Sequence, residues 1–435
     1  MSRLDWLNNY LYFCREITMK LAIHILLAYL VLTLLFTGAL VAAFAIPGTA
    51  VKDNLRQSVQ QVTDDGKMFT AQVGPVEPFK VGTFSDCLIL GIAYCSDADH
   101  PLHAAMSDKF LILDGSPEDA ALQMVEHPEN PLLQPVIYSR YWHGNQIIIK
   151  PLLYLTTMHG IRTINGVLLA VLLLLLLAVM WGRVGHADAL IVTLCLAAVI
   201  VPSVPMSLNY VPTFYIALLA SLAILCRKAV TANWNRAVIL FFVIGALTTY
   251  FDLLTTPMVA LAVPLTVYML YKKPDNAWRT VIMLSLAWLA GYALLWATKW
   301  VLAALITGHA AIEDAMGAVT QRTVGYDEQD YMMWCLKATT AILMAVVLII
   351  TTVTALFGKS WQTLRRNSWM LLVAMASFVW TFVLLEHTWR HPHFTWRTYV
   401  VLAIGVMLFL WHTLDLKHPL ALFNKTKITS KEPSL

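Results

Sequence analysis

Long apolar runs separated by short polar segments dominate the pattern of this chain. Several runs approach or exceed the roughly 20 residues that a helix needs to cross about 30 Å of hydrocarbon. The pattern predicts about ten transmembrane helices, near residues 21–46, 164–182, 187–204, 209–226, 236–252, 255–271, 279–306, 338–357, 368–386 and 396–414.

Residues 47–163 interrupt this pattern with a loop that is rich in Asp, Pro and His and has no regular strand pattern. Two apolar pieces of the loop, residues 88–94 and 146–159, are too short to cross a bilayer, so we expect interfacial or re-entrant helices there. A loop of this length is usually functional. The predicted fold class is an all-α polytopic membrane protein whose large first loop carries interfacial helices.

The basic residues predict an orientation for these helices. An even number of spans puts both termini on one side of the membrane, and the positive-inside rule makes that side the cytoplasm. The predicted cytoplasmic segments then contain Arg3, Arg15, Lys20, Arg183, Arg227, Lys228, Arg236, Lys272, Lys273, Arg279, Lys359, Arg365, Arg366, Lys417, Lys425, Lys427 and Lys431. The short outer turns 202–209 and 252–255 have no Lys or Arg.

Five segments follow from this topology in a multi-pass protein of the cell membrane. They are a cytoplasmic N-terminus at 1–20, a first span at 21–46, an extracytoplasmic loop at 47–163, about nine further helices within 164–414, and a cytoplasmic tail at 415–435.

Composition agrees with a protein whose solvent is the lipid bilayer. Of 435 residues, 59% are hydrophobic and 13% charged, against about 25% charged in soluble domains. The first run is too long for a signal peptide and lacks a clear cleavage site, so we interpret it as a retained span. The net charge is only +4 and the basic residues are dispersed, which argues against a nucleic-acid partner.

Two cysteines, Cys87 and Cys95, share the outer loop, where an oxidising compartment would permit a disulfide. A continuous helix would hold their Cα atoms about 12 Å apart, so a bond requires a turn between them. The disulfide and two free thiols both remain open.

Asp86 is the candidate general base. It lies in Thr-Phe-Ser-Asp-Cys, at the boundary between a polar stretch and an apolar segment. Partial desolvation there would raise the pKa of its carboxyl group, which suits a base. The alternative is a helix N-cap, since Ser and Asp both cap well.

The cluster Arg140, Tyr141, Trp142 and His143 is a candidate site for the sugar or the acceptor. A sugar face stacks on aromatic rings while an arginine holds an adjacent phosphate. The alternative is an interfacial aromatic belt with a snorkelling arginine. Asp252, at the end of a span, joins this candidate site, with capping or ion pairing as its alternative.

The last outer turn concentrates His387, Arg390, His391, His393 and Arg397 in eleven residues. With Arg322 from the preceding outer segment, this charge suits a lipid phosphate or pyrophosphate. The histidines alternatively bind zinc, although no ligand spacing supports that strongly, or the whole turn contacts lipid headgroups. No cofactor is required by these patterns, and a divalent metal remains open.

A first span, a long outer loop with an acidic residue, and later outer segments with basic residues together resemble the GT-C superfamily of membrane glycosyltransferases. Asp86, the Tyr138 to His143 cluster, Arg322 and the basic outer turn carry the resemblance, and no motif identifies a subfamily. The acidic residue usually follows the first span closely, whereas Asp86 lies about 40 residues beyond it. Asp53, Asp64 and Asp65 are therefore alternative bases.

The resemblance implies a function. Such enzymes transfer a sugar from a polyprenyl-phosphate carrier to an extracytoplasmic glycan, lipid or protein acceptor, with a loop carboxylate as the base and inversion at the anomeric carbon. Asp86 would be that base, and the cationic outer residues would bind the lipid phosphate. A transporter or a lipid or polysaccharide flippase is the alternative function, and it predicts broken helices or repeats near mid-membrane.

Overall fold

A computed structural model describes residues 3–70, 80–324, 329–420 and 422. The predicted tail lysines Lys425, Lys427 and Lys431 lie outside the described residues. Within the described part, helices account for almost all regular structure, as expected.

The helical bundle begins with α1 and resumes after the outer loop. Its elements are α1 (Arg3–Phe44), α7 (Met158–Arg183), α8 (His186–Ser203), α9 (Val211–Cys226), α10 (Trp234–Phe251), α11 (Pro257–Lys272), α12 (Ala277–Thr307), α13 (Ala311–Val324), α14 (Gln329–Phe357), α15 (Trp361–Asn367), α16 (Trp369–Ala374), α17 (Ala376–Val383), α18 (Leu385–Arg390), α19 (Pro392–Thr395) and α20 (Val400–Thr413). Short 3₁₀ turns occupy Val204–Met206, Lys228–Thr231 and Trp396–Tyr399.

Among the described residues, seven helices are long and apolar enough to cross a membrane. They are Met19–Phe44, Met158–Arg183, His186–Met206, Trp234–Phe251, Ala277–Thr307, Asp330–Phe357 and Pro392–Thr413. The prediction of transmembrane helices is therefore confirmed. The other three predicted spans correspond to the shorter apolar helices Val211–Cys226, Pro257–Lys272 and Trp369–Val383.

Helix α11 is a buried core helix, because every residue from Pro257 to Leu270 is enclosed by protein. In contrast, only 11% of the most apolar window of α1 and 6% of that of α14 is buried, so these two helices are peripheral. Both kinds of helix are uniformly apolar. Hydropathy alone therefore does not distinguish a central helix from one that faces lipid.

Two glycines allow α10 and α12 to cross closely. A Cβ atom on Gly245 would collide with the backbone of Trp288, and one on Gly291 would collide with the backbone of Phe242. Without the driving force of water, helix association in a bilayer depends on such close van der Waals contact between small residues.

Successive helices run in alternating directions, which gives the bundle two ends. The basic end contains the ends of α7, α9 and α11 and the starts of α8, α10 and α12. Contacts between helices there include His412 Nε2 with Asp188 Oδ1 at 2.8 Å and Trp278 Nε1 donating to Ser368 Oγ at 2.8 Å. The opposite end, where the outer loop packs, is called the loop end below.

The outer loop is a folded unit with more regular structure than its sequence predicts. It contains α2 (Gly48–Asp65), α3 (Phe84–Tyr94), α4 (Pro101–Ser107), α5 (Pro117–Glu126) and α6 (Gln146–Leu155), with strands β1 (Met68–Thr70), β2 (Lys80–Gly82), β3 (Phe110–Ile112) and β4 (Gln134–Val136). Strands β1 and β2 pair antiparallel with Met68 opposite Gly82, and β3 and β4 pair with Phe110 opposite Val136. The loop sequence shows no regular strand pattern because three-residue strands are too short to show alternation.

The two predicted interfacial pieces have different environments. Helix α3 is buried from Asp86 to Ala93, so it is the core of the loop and not a helix on the membrane surface. Helix α6 exposes Ile148, Tyr154 and Leu155, an apolar face that fits the interface. Cys87 and Cys95, at either end of α3, are free thiols.

A buried ion pair attaches the loop to the bundle. Lys299 of α12 and Asp108, which follows α4, are both fully buried, with 2.7 Å between Nζ and Oδ2. The same ammonium donates to the Ala105 carbonyl at 2.8 Å, so it also caps the end of α4. This contact sets the position of the loop over α12.

Candidate functional site

Asp86 lies at the loop end, where α3 meets the segment that joins α8 to α9. Its carboxylate is fully buried, and Oδ1 accepts hydrogen bonds from Ser207 Oγ and Leu208 N, both at 2.8 Å. Residues 203–210 are called the junction segment below. Oδ2 has no hydrogen-bond partner among the described residues.

The capping alternative for Asp86 is wrong. Thr83 occupies the N-cap position of α3, and the bonds of Asp86 go to the junction segment instead. Burial raises the pKa of the Asp86 carboxyl group to about 6, while Arg162 and the bond from Ser207 oppose that shift. A carboxylate of this kind is largely ionised at neutral pH and has one oxygen that is not hydrogen-bonded.

Arg162 is a residue of this site that the sequence reasoning missed. Its Nη2 lies 3.8 Å from Asp86 Oδ2, and its Nη1 lies 2.6 Å from Asp65 Oδ2. The guanidinium also faces the Phe69 ring at 5.3 Å. A lone arginine in the first turns of an apolar helix is costly unless it has a partner, and that signal was available in the sequence.

The alternative bases occupy different environments. Asp53 and Asp64 are exposed on α2, whereas Asp65 is bonded to Arg162. Among these carboxylates, Asp86 is the one that is buried in contact with the junction segment.

Arg397 reaches the same junction segment from the other side. It is fully buried, its guanidinium lies 3.9 Å from the Tyr210 ring centroid, and Nε donates to Ser203 Oγ at 3.1 Å. Its Nη2 finds no acceptor in the described part of the chain. The fold therefore brings Asp86 and Arg397, which are far apart in sequence, onto one short segment.

His393 lies between Arg397 and the outer loop. The backbone carbonyl of His393 accepts a hydrogen bond from Arg397 Nη1 at 2.7 Å. If Gly82 carried a Cβ atom, that atom would lie only 3.1 Å from Nε2 of the His393 ring. Strand β2 thus packs directly on this histidine, and the glycine permits that approach.

Asp252 and His387 form a neighbouring polar group. Asp252 is buried, accepts from Thr255 N at 3.1 Å and from the Thr255 hydroxyl, and burial raises the pKa of its carboxyl group to about 6. His387 Nε2 lies 3.0 Å from the Leu254 carbonyl. Since a carbonyl only accepts, Nε2 carries the proton and Nδ1 is the acceptor.

The histidines of the outer turn are neutral at pH 7, which corrects the expectation that they add positive charge. Burial, with a smaller contribution from Arg322, lowers the pKa of His387 to about 3, and burial, with smaller contributions from His393 and Arg322, lowers that of His391 to about 4. The positive charge near them comes from the arginines. His391 and His393 can still bind an anion by donating a hydrogen bond, whereas the one proton of neutral His387 is already donated to the Leu254 carbonyl.

Arg322 lies at the centre of this group. Its guanidinium is 5.8 Å from the Tyr141 ring centroid and it contacts the Ala318 carbonyl at 3.4 Å. No carboxylate of the described residues pairs with it. Arg390, in contrast, forms an ion pair with Glu386 and lies 5.8 Å from the Tyr331 ring, with its side chain about half exposed.

The cluster at residues 140–143 is mainly a packing element. Trp142 is fully buried against Phe36 and Tyr250, and its indole nitrogen donates to the Leu295 carbonyl at 2.7 Å. His143 is also fully buried, and burial holds the pKa of its ring well below the ordinary value. Neither ring has a free face for a sugar or for lipid, so for these two residues both sequence interpretations are corrected.

Arg140 and Tyr141 lie closer to the candidate site. Arg140 pairs with Asp314 at 3.0 Å, and its carbonyl accepts from the indole nitrogens of Trp296 and Trp300 at 2.7 and 3.0 Å. Tyr141 stacks on Trp296 with 5.9 Å between centroids, and the Arg322 guanidinium lies 5.8 Å from the Tyr141 ring centroid.

The geometry offers no support for the zinc alternative. Within the described ranges, no group of three or more His, Cys, Asp or Glu side chains is arranged to hold a metal ion. His387, His391 and His393 contact one another and Phe394 through their rings.

Searches against protein-family models, curated proteins and solved structures find no match to this chain.

Proposed function

We propose that this protein is a membrane glycosyltransferase that moves a sugar from a polyprenyl-phosphate carrier to an extracytoplasmic glycan, lipid or protein acceptor. One observation carries the proposal. The buried carboxylate of Asp86, with one oxygen that is not hydrogen-bonded, shares the junction segment with the buried guanidinium of Arg397. A base and an anion-binding group that contact one short segment are what transfer from a phosphate carrier needs.

In the proposed reaction, Asp86 Oδ2 takes the proton of the acceptor hydroxyl. The acceptor oxygen forms a bond to the anomeric carbon as the bond from that carbon to the phosphate oxygen breaks. The electron pair of the broken bond leaves with the lipid phosphate, whose charge the arginines stabilise. One displacement of this kind inverts the anomeric carbon.

The donor phosphate is proposed to lie between Arg322 and Arg397. Arg322 has no carboxylate partner in the described chain, and Nη2 of Arg397 has no acceptor there. His391 and His393 would supply neutral hydrogen bonds, whereas His387 would hold the turn in place through its bond to the Leu254 carbonyl. Arg140 and Tyr141 would contact the sugar or acceptor. Asp252 would orient this side of the site through its bonds with Thr255.

The topology that this function needs is about ten spans with both termini in the cytoplasm and the loop end outside. The short helices α9 and α11 and the pair α16 and α17 would supply the three spans beyond the seven long ones. The concentration of Lys and Arg at the basic end supports this orientation.

We expect a reporter fused at Asn276 to be cytoplasmic and one at Asp119 to be external. Asn276 precedes α12 at the basic end, and Asp119 lies on α5 of the outer loop. Alkaline phosphatase and fluorescent-protein fusions, which are active on opposite sides of a membrane, make the measurement. A cytoplasmic signal at Asp119 would contradict the proposed orientation and with it the extracytoplasmic site.

Arg322→Ala should weaken donor binding by about 1.5 to 3 kcal/mol, which is typical of losing a hydrogen bond to a charged group. Arg390→Ala is the matched comparison, since Glu386 already neutralises much of its charge, and we expect it to lose less. Binding of polyprenyl phosphate to protein in nanodiscs provides both affinities. Equal losses in the two variants would remove Arg322 from the phosphate site.

The function itself is tested with purified protein in nanodiscs and labelled sugars on a polyprenyl-phosphate carrier. Enzyme-dependent release of polyprenyl phosphate, with the sugar on an added acceptor, is the expected result. Accumulation of an unmodified substrate inside sealed vesicles, without bond cleavage, would instead support the transporter or flippase alternative.

A further inference from the structure

An open apolar groove with a volume of about 300 Å³ lies on the first turns of α10, at the basic end of the bundle. It is far along the helix from Asp252, which follows the other end of α10. Its lining residues are Ala229, Val230, Arg236, Ile239, Leu240 and Val243.

The lining has the spacing of one helix face. Arg236, Ile239, Leu240 and Val243 are three, four and seven residues apart, so they form a stripe along α10. The three aliphatic residues are half-buried, whereas Arg236 at the end of the stripe is exposed. The groove is thus apolar along its length and positively charged at one end.

The position of Arg236 is set by two contacts. The Asn233 side chain caps α10 by accepting from Arg236 N at 3.0 Å, and Arg236 Nη1 donates to the Ala229 carbonyl at 2.9 Å. These contacts hold the guanidinium at the rim of the groove. Its remaining N–H groups are available to a ligand.

The surroundings of the rim add positive charge without compensation. Arg227 and Lys228 are exposed beside Ala229, and Arg183 reaches this region by donating to the Leu225 carbonyl. The chain contains no Asp or Glu between Asp188 and Asp252. No carboxylate of the described residues pairs with Arg227, Lys228 or Arg236.

We propose that this groove binds an anionic glycerophospholipid from the adjoining leaflet. The phosphate would contact Arg236 and Lys228, and an acyl chain would follow Ile239, Leu240 and Val243 into the bilayer. The groove is open, its aliphatic lining belongs to α10, which is long and apolar enough to cross a membrane, and its rim is cationic, so an amphiphilic occupant fits it. The uncompensated charge at the rim selects an anionic headgroup over a zwitterionic one.

This site is independent of the proposed sugar transfer. It lies at the basic end, whereas Asp86, Arg397 and the junction segment lie at the loop end. Failure of either proposal therefore leaves the other unaffected.

The test measures lipid retention by native mass spectrometry on the full-length protein in detergent, with added phosphatidylglycerol or phosphatidylcholine. We expect saturable binding of at least one phosphatidylglycerol, with markedly weaker binding of phosphatidylcholine. The double variant Lys228→Gln/Arg236→Gln should bind phosphatidylglycerol roughly 30-fold more weakly, since each surface cation contributes about 1 kcal/mol of attraction.

The matched control is Arg365→Gln/Arg366→Gln, which removes the same charge from an exposed pair on α15 at the basic end. We expect this control to keep the tight phosphatidylglycerol binding. A third variant, Leu240→Trp, fills the groove without changing charge and should also lose the lipid. Equal binding of the two lipids by the wild-type protein, or equal losses in the two charge variants, would overturn the proposal.

Discussion

Asp86→Asn is expected to reduce sugar transfer about 10²- to 10⁴-fold, the contribution typical of a positioned general base. The asparagine oxygen can still accept the bonds from Ser207 and Leu208, so the junction segment should keep its conformation. The asparagine amide cannot take the proton from the hydroxyl group of the sugar acceptor at neutral pH. Turnover from a polyprenyl-phosphate donor in nanodiscs is the measurement, with donor affinity and thermal stability determined on the same sample.

Asp53→Asn provides the matched control, because it is the same chemical change at an exposed carboxylate of the same loop. It should leave turnover unchanged. Near-normal activity of Asp86→Asn would remove Asp86 from the mechanism and move attention to Asp65 and Asp252.

The pH dependence gives this prediction a second readout. The pKa of Asp86 is raised to about 6, so the base is ionised above that pH and gains a proton below it. Turnover of the wild-type protein should therefore fall as the pH decreases through about 6. The residual activity of Asp86→Asn should lack this step, unless Asp252, whose pKa is also about 6, causes it.

Lys299→Met should destabilise the protein by about 3 to 5 kcal/mol, the range observed when one partner of a buried ion pair is removed. The substitution leaves the Asp108 carboxylate fully buried without its cation, and it removes the donor to the Ala105 carbonyl. A large drop in the unfolding temperature in detergent is the expected result. Because the pair attaches the outer loop to α12, the variant should also become more sensitive to proteases within the loop.

The double variant Lys299→Met/Asp108→Asn tests whether the unpaired buried charge is the cause of the destabilisation. Asp108 has a positive φ of 45°, a conformation that asparagine tolerates. With both charges removed, no buried charge remains unpaired, so the double variant should be more stable than Lys299→Met. A double variant as unstable as the sum of the two single changes would show that the ion pair is not the source of the stability.

The arrangement of charges along the chain was predictable in part. Hydropathy and the positive-inside rule predict that the basic residues of the turns gather on one side of the bundle, and those of the turns around α7 to α12 do lie together at one end. The charge state of His387 and His391 was not predictable. It depends on burial and on Arg322, which belongs to a separate helix.

At the candidate site, too, some features were predictable from the sequence and others were not. Asp86 was identified from its boundary position, but Arg162 and the junction segment were not, because their contact with Asp86 joins residues about 80 to 120 positions apart in sequence. Trp142 and His143 appeared suited to binding a ligand by residue type alone. Only the packing of Trp142 against Phe36, Tyr250 and Leu295 assigned that residue to the protein interior.

The apolar runs are enough to predict a helical membrane protein with one large loop, because the free energy of moving such a run into lipid is a sum over neighbouring residues. The tertiary structure decided which apolar helix is enclosed, as α11 is, and which carboxylate acquires a cationic neighbour, as Asp86 does. Burial and pairing depend on distances between residues far apart in the chain, and those distances exist only after the helices and the loop have packed together.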